Sequence, residues 1–512
     1  MENKILKWMV DYFCVSVFVE ICSVAQNNVL FIIVDDLKPA IGSFKDKLAV
    51  TPNIDKLASK SFVFENAFVQ QALCAPSRNS LLTSRRPDSL RLYDFHSYWR
   101  TTVGNYTTLP QHFKENGYHT HSIGKVFHPG ITSNFSDDFP YSWSQRPFHP
   151  KSEIYKNAKL CQNEDGSLGA NLICPVIVNF QPFGTLPDIE SLHEALHFLK
   201  KKNNKTIPYF LAVGFQKPHI PFKFPREYLD LYPLENIPLP QNRWRPATLP
   251  EVAWNPWVDI RTRDDMKDLN IPFPYGPISD DALKKIIQCY YASTSYIDYL
   301  IGQLLEAVDN NTIIVFVGDH GWSLGEHGEL AKYSNFEEAT RVPLLIHVPN
   351  LTKNKKKITK LVELVDIFPT LVDLTQISKP LSLCPVDNES TALCSEGRSL
   401  ASAMWGNASK GKSAVFSQYP RPGPYPELNS DKPILKNISI MGYSMTTRRY
   451  RYTEWVGFNT STFNISWNKC YGKELYDHSI DPGENMNLAG RPELHEIQKN
   501  LRKKLILGWR HV

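Results

Sequence analysis

Three short apolar runs constrain this chain more than anything else in it. Asn28 to Val34 reads NVLFIIV, and Tyr209 to Phe215 and Thr312 to Val317 repeat the type. A continuous apolar run of this length, without alternation, is the pattern of a strand buried on both faces of a parallel sheet. Each run is followed at once by polar groups: Asp35-Asp36, Lys217-Pro218-His219 and Asp319-His320. In open α/β sheets ligands collect beyond the carboxyl ends of the strands, so these three ends predict one shared site. From Asp281 to Val308, Ile286, Ile287, Tyr290, Ile297, Ile301, Leu304 and Leu305 fall at helical spacing, which predicts a helix covering the sheet.

Size and charge narrow the reading. At 512 residues and 42% hydrophobic, the chain can bury one large core and a second, smaller one. Its net charge is +5 and no basic run exceeds three residues, which argues against a nucleic-acid partner. The 15 His would make it distinctly cationic in an acidic compartment, which suits an anionic ligand. Gln216 to Pro277 holds 12 of the 37 Pro, with Trp, Tyr and Leu interspersed, and predicts an ordered loop region able to wall the site. A compositional break falls near 405–415. Beyond it, Ser439 to Trp455 alternates like a β-ribbon and Glu493 to Trp509 reads as an amphipathic helix. The expected division is a secretory signal at 1–25, a catalytic unit at 26–405 and a C-terminal α+β unit at 412–512.

The signal reading rests on Lys4 and Lys7, the apolar stretch Phe13 to Ile21, and small Ser23 and Ala25, with Asp11 and Glu20 interrupting the pattern. No later run reaches the ~18 apolar residues of a membrane span. Ten Asn-x-Ser/Thr sequons, at Asn105, Asn134, Asn204, Asn310, Asn350, Asn388, Asn407, Asn437, Asn459 and Asn464, favour a glycoprotein of the secretory route. Cysteine arithmetic agrees, because Cys161/Cys174 and Cys384/Cys394 read as short-range disulfides. Cys289 and Cys470 either pair or stay free; Cys289 sits in the apolar helical pattern, where an inert buried thiol is the better reading.

Asp35-Asp36 and Asp319-His320 on neighbouring strands would gather three carboxylates and an imidazole, a mostly oxygen site for a hard divalent cation. Ca²⁺ fits best and Mg²⁺ is a second fit. A closed structural zinc site is disfavoured, because no Cys-x₂-Cys spacing occurs. The most specific signal is Cys74-Ala75-Pro76-Ser77-Arg78, followed by Leu81-Leu82-Thr83 and Arg85-Arg86-Pro87. It resembles the sulfatase signature Cys-x-Pro-x-Arg, with Ser84 where the family's downstream stretch usually carries Gly.

That resemblance implies an α/β fold: a large, mixed, mainly parallel sheet sandwiched by helices, of the alkaline-phosphatase/sulfatase type, with a smaller C-terminal α+β domain. It implies that Cys74 is oxidised to formylglycine, whose hydrated aldehyde is the nucleophile, with a formylglycine-generating enzyme as maturation partner. Carried over residue by residue, Cys74 also joins Asp35, Asp36, Asp319 and His320 around one Ca²⁺, and Arg78 favours an anion beside the nucleophile. Gly124-Lys125-Val126-Phe127-His128 resembles the family's Gly-Lys-x-x-His segment. Lys125 would hold the formylglycine hydroxyl and His128 would be the base in sulfate elimination. His219 would contact sulfate and protonate the leaving alcohol, Asp319 would take the proton from the attacking hydroxyl, and Lys332 would bind sulfate. Cations around a sulfate are what its developing charge requires. Glu474-Leu475-Tyr476-Asp477 resembles the C-terminal segment of the same family.

His320, where most of the family places Asn, and the stretches Arg91 to Phe95, Lys332 to Phe336, Phe416 to Arg421 and Trp455 to Phe458 narrow the resemblance. They resemble sulfatases that remove the 2-O-sulfate from non-reducing-end iduronate in heparan sulfate and dermatan sulfate. Trp322 and the Ser417 to Arg421 loop are the candidates for the sugar pocket, Arg421 for the uronate carboxylate. Lysosomal delivery and action as a monomer are the corresponding expectations. The alternatives are a sulfatase of other glycan specificity, a glycan-binding pseudoenzyme with unconverted Cys74, and, on fold alone, a phosphohydrolase.

Overall fold

The computed structural model describes residues 26–202, 207–352, 356–386, 391–406 and 411–511. The expected signal at 1–25 and the sequons Asn204, Asn388 and Asn407 lie outside these residues.

The three apolar runs are strands of one seven-stranded sheet. In chain order its strands are Asn28–Val34 (β1), Phe62–Phe68 (β2), His119–Gly124 (β3), Tyr209–Phe215 (β4), Thr312–Gly318 (β5), Arg341–His347 (β6) and Lys356–Glu363 (β7). Their spatial order is β7-β2-β6-β5-β1-β4-β3. β1 pairs parallel with both β4 and β5, and only β6 runs against its neighbours. Val34 is in register with Phe215 on one side and Gly318 on the other, so the three polar strand ends lie side by side.

Both faces of the sheet are covered, which is why β1 shows no alternation. Leu30, Ile32 and Val34 join a core with the long helix Asp280–Glu306, while Val29, Phe31 and Ile33 join Leu81, Leu82, Phe368 and Leu371 on the other face. Each such side chain contributes roughly 1.5–3 kcal/mol of burial free energy. The long helix starts where Ser279 Oγ accepts the Ala282 N–H at 3.3 Å. The Pro-rich stretch forms short 3₁₀ turns at Arg226–Leu231, Leu234–Asn236 and Glu251–Ala253.

Beyond residue 411 the chain forms an antiparallel sheet of Ala414–Arg421 (β8), Ile440–Thr447 (β9), Tyr450–Asn459 (β10) and Asn464–Asp477 (β11), in that order. The predicted β-ribbon is its β9–β10 pair. Leu501 and Leu505 of helix His495–Leu507 pack on Ala414, Met445, Tyr452 and Leu475. Tyr419, Ile440, Trp455 and Tyr476 instead belong to the main core. The two units thus share packing. Buried ion pairs reinforce this: Lys412 Nζ reaches Asp366 Oδ1 at 2.6 Å and Glu363 Oε2 at 2.5 Å.

Cys161–Cys174 and Cys384–Cys394 form disulfides, while Cys74, Cys289 and Cys470 are free. All seven described sequon asparagines, 105, 134, 310, 350, 437, 459 and 464, are exposed.

Candidate active site

Cys74 is the first residue of helix Cys74–Thr83, and its side chain is buried. Its Sγ stands 3.2 Å from Lys332 Nζ, 3.3 Å from His320 Nε2, 3.5 Å from Asp35 Oδ1 and 3.5 Å from Lys125 Nζ. A helix start with cations beside it is a place for negative charge. The helix ends at Ser84, in the left-handed region at φ 54 where Gly is favoured. Ser84 Oγ lies 2.8 Å from Ser395 Oγ and also bonds the Val365 carbonyl, which anchors the turn.

The three strand ends converge as their order predicts. Asp36, two residues beyond the β1 end, has φ 62, a strained conformation for a non-glycine. It is held by its own N–H donating to Asp319 Oδ1 at 3.0 Å and by Tyr290 OH donating to its carbonyl at 2.7 Å. Arg78 Nε donates to Asp319 Oδ2 at 2.8 Å, and its other end reaches Asp35 Oδ1 at 3.3 Å. Lys125 Nζ pairs with Asp35 at 2.5 Å and Lys332 Nζ with Asp36 at 2.6 Å. The Lys125 backbone docks against Gly214 in β4, where a Cβ would lie 1.9 Å from the Lys125 carbonyl oxygen; only glycine fits.

The charges shape one another. Burial raises the Asp35 pKa, but Lys125, His219, Arg78 and Lys332 outweigh it and hold the carboxyl well below its ordinary value. Asp36 goes the other way: burial, with Asp35 and Cys74 adding, pushes it up to about 7 against Lys332. Burial likewise keeps His320 below its ordinary value despite Asp319. His128 is held well below its ordinary value by burial, then Lys125 and Arg78; its ring lies against Phe95 at 4.5 Å between centroids. His219 is also lowered well below, by burial and then Lys156. Its Nδ1 lies 2.6 Å from the Ile220 carbonyl oxygen, so Nδ1 carries the proton and Nε2 faces Asp36 Oδ2 at 4.0 Å.

One donor atom of each of Asp35, Cys74, Asp319 and His320 lies within 4.8 Å of the others, and Asp35, Asp36, Cys74 and His219 form a second such group. Asp36 Oδ2 is buried with no hydrogen-bond partner. A buried orphan oxygen among three carboxylates and a neutral imidazole fits a hard divalent cation.

Two of the sugar-pocket candidates lie elsewhere than expected. Ser417 to Arg421 is part of strand β8 and not a loop. Arg421 is a correction: it is 1% exposed, and its guanidinium donates to the carbonyls of Val252, Ala253, Tyr333, Pro420 and Ser430. It clamps backbone together and presents nothing to a ligand. Trp322 is also buried, with its ring 5.7 Å from the Lys332 ammonium and edge-on to Phe222. Sequence reasoning missed the supports Tyr290 and Gly214, and also Lys156, which lies within electrostatic reach of Lys125, Asp35 and Cys74. None of these carries a motif.

Comparison with known proteins adds to this geometry. The chain is 51% identical to the iduronate 2-sulfatase of Homo sapiens and 50% identical to that of Mus musculus. Each match covers 90% of this chain and 90% of the relative. Among solved structures, the phosphonate monoester hydrolase of Agrobacterium radiobacter shares the fold, with a TM-score of 0.67 at 19% identity over 95% of this chain and 96% of that one. The sulfatase family pattern matches residues 27–377, and with the strand-end cluster built around Cys74 this places the chain in the sulfatase family.

Proposed function

We propose that the protein hydrolyses the 2-O-sulfate ester of non-reducing-end L-iduronate in heparan sulfate and dermatan sulfate. The observation that carries this reading is Cys74 at a helix start, ringed by Lys332, His320, Asp35 and Lys125 at 3.2–3.5 Å. The half-identity to mammalian iduronate 2-sulfatases across 90% of the chain supports the choice of sugar.

Oxidised to formylglycine, Cys74 supplies a hydrated aldehyde, one hydroxyl of which attacks sulfur while deprotonation of the other expels sulfate. Asp35, Asp36, Asp319 and His320 would hold one Ca²⁺, which when bound would supply Lewis-acid polarisation of a sulfate oxygen. Lys125 and Lys332 bind the sulfate oxygens and Lys125 also orients the hydroxyl at residue 74. Arg78 holds Asp319 in place to accept a proton from that hydroxyl. Burial, then Lys125 and Arg78, hold His128 below its ordinary value, which favours the neutral imidazole that a proton acceptor requires. His219 is kept neutral by burial and by its cationic neighbours. A bound sulfate offsets those charges, raises its proton affinity and lets it protonate the departing sugar oxygen. The S–O bond to the sugar breaks and the sugar leaves as an alcohol.

The same reading assigns catalysis to 26–405 and a supporting α+β unit to 412–512, in a monomer. It takes a formylglycine-generating enzyme as the maturation partner and sulfated glycosaminoglycan as the substrate. Seven exposed sequons suit a glycoprotein delivered to lysosomes. Among the described residues no helix is long and apolar enough to cross a membrane. The test is sulfate release at acidic pH from a disaccharide ending in 2-sulfated iduronate, beside one ending in 6-sulfated glucosamine. Release from the first alone is expected; release from the second alone would discard the iduronate assignment.

A further inference from the structure

Around Cys74 the cations come in pairs with carboxylates: Lys125 with Asp35, Lys332 with Asp36, and Arg78 with Asp319. Lys156 breaks this pattern. It ends the 3₁₀ turn Lys151–Tyr155 and lies within electrostatic reach of Lys125, Asp35, Cys74, His219 and Lys217. Among the described residues its ammonium makes no ion pair and no hydrogen bond. The nearby Glu153 acts on it only through space, because the Glu153 carboxylate faces His149 at 3.7 Å.

Lys156 also lines a narrow cleft beside the His219 loop, together with Tyr155, Gln181, Thr185, Gln216 and Lys217. The other lysines on that cleft are occupied. Lys217 Nζ donates to the carbonyls of His219 and Pro221, the latter at 2.9 Å, and Lys223 Nζ donates to the Tyr155 carbonyl at 3.2 Å. Lys156 is left as the ammonium free to meet a ligand there. Holding such a charge partly out of water among other cations costs free energy until an anion arrives. Burial, and then Lys125, bring its pKa down to about 8, so it is charged at acidic and neutral pH.

The scissile sulfate belongs between Lys125, Lys332 and His219, beside Cys74 Sγ, which both ammonium groups face. An anion at Lys156 is therefore a second one. Resting on the sulfatase reading above, we propose that Lys156 is a specificity-determining residue that binds a second anionic substituent of the substrate, beside the scissile sulfate. Its source is either the carboxylate of the same sugar or a sulfate on the adjoining one. The substrates are then saccharide sulfate esters carrying at least one further negative charge.

The experiment is steady-state kinetics of wild type, Lys156→Met and Lys156→Arg. The substrates are a 2-sulfated iduronate disaccharide, its carboxyl-reduced analogue, its analogue with a sulfated hexosamine, and a monoanionic aryl sulfate. For Lys156→Met we expect KM on the dianionic disaccharide to rise about 10- to 100-fold with kcat within about twofold, the size of a lost charged contact. The penalty on the aryl sulfate is at least about tenfold smaller, and Lys156→Arg recovers most of the loss. Disappearance of the penalty on the carboxyl-reduced analogue identifies the carboxylate. A penalty confined to the analogue with the sulfated hexosamine identifies the neighbouring sulfate. Equal penalties on all substrates, or none on any, overturn the proposal. Wild-type turnover of the aryl sulfate alone would sink the iduronate reading separately. Lys156 is then judged by whether Lys156→Met weakens inhibition of that turnover by the dianionic disaccharide.

Discussion

The Lys332 ammonium lies 2.6 Å from Asp36 Oδ1 and 3.2 Å from Cys74 Sγ, so one cation serves both a strand end and a helix start. Removing it should leave Asp36 uncompensated and strip a charge from the sulfate. Lys332→Met is expected to lower kcat/KM by about 100-fold or more, the scale of losing one preorganised transition-state contact. Sulfate release from the disaccharide checks this. A loss under tenfold would remove Lys332 from the reaction.

Chelation is the second prediction. Burial, Asp35 and Cys74 hold Asp36 up near pKa 7, a penalty that a bound cation relieves. Dialysis against a chelator should abolish sulfate release and lower Tm, and stoichiometric Ca²⁺ should restore both. At metal 100-fold above Kd the linkage amounts to about 2.7 kcal/mol. An unchanged Tm and activity after verified metal removal would contradict the cation site.

The third concerns pH. Glu484 Oε1 accepts from Arg451 Nε at 2.7 Å and meets His478 Nε2 at 2.8 Å, while its Oε2 accepts the Glu337 N–H at 3.1 Å. His478 is raised above its ordinary value: burial opposes this, but Glu484 and Glu337 prevail. Its contribution to stability is therefore fully present below about pH 6.5 and is lost as pH climbs through the raised value. Glu484 is lowered to about 2, since Arg451 and His478 overcome the cost of burial, and its contribution is lost only as pH falls toward that value. Both are present together between about pH 4.5 and 6.5. His478→Gln should accordingly lower Tm more at pH 5 than at pH 8. The reverse order would show that the ion pair is not formed.

Arg421 supplies the fourth. Its donors satisfy five backbone carbonyls from three parts of the chain, so Arg421→Met should destabilise the fold by about 3 kcal/mol or more. KM of the folded fraction should stay near wild type. A selective rise in KM without loss of Tm would return Arg421 to the sugar pocket.

Much of this architecture could be read in the chain before any coordinates. The unalternating runs at 28–34, 209–215 and 312–317 gave buried parallel strands because both sheet faces are covered, and the spacing from Ile286 to Leu305 gave the covering helix. The residues around Cys74 were legible because each sits in a motif or at a strand end. Arg421 was misjudged for a physical reason: an arginine that ties carbonyls together has no sequence mark to separate it from one that meets a carboxylate. Tyr290 and Gly214 act through a hydroxyl and a missing Cβ, both contacts between segments far apart in the chain. Lys156 is invisible for the same reason, since its meaning comes from which partners it lacks.

The in-register seating of Val34 between Phe215 and Gly318 makes this enzyme a gauge of its own sheet. A two-residue slip of β1 would keep every side chain on its proper face and leave the ladder paired, yet carry Asp35 and Asp36 about 6.6 Å along the strand. Circular dichroism would barely register the change, whereas sulfate release would vanish. Turnover in a refolded sample therefore reports strand alignment more sharply than spectroscopy does.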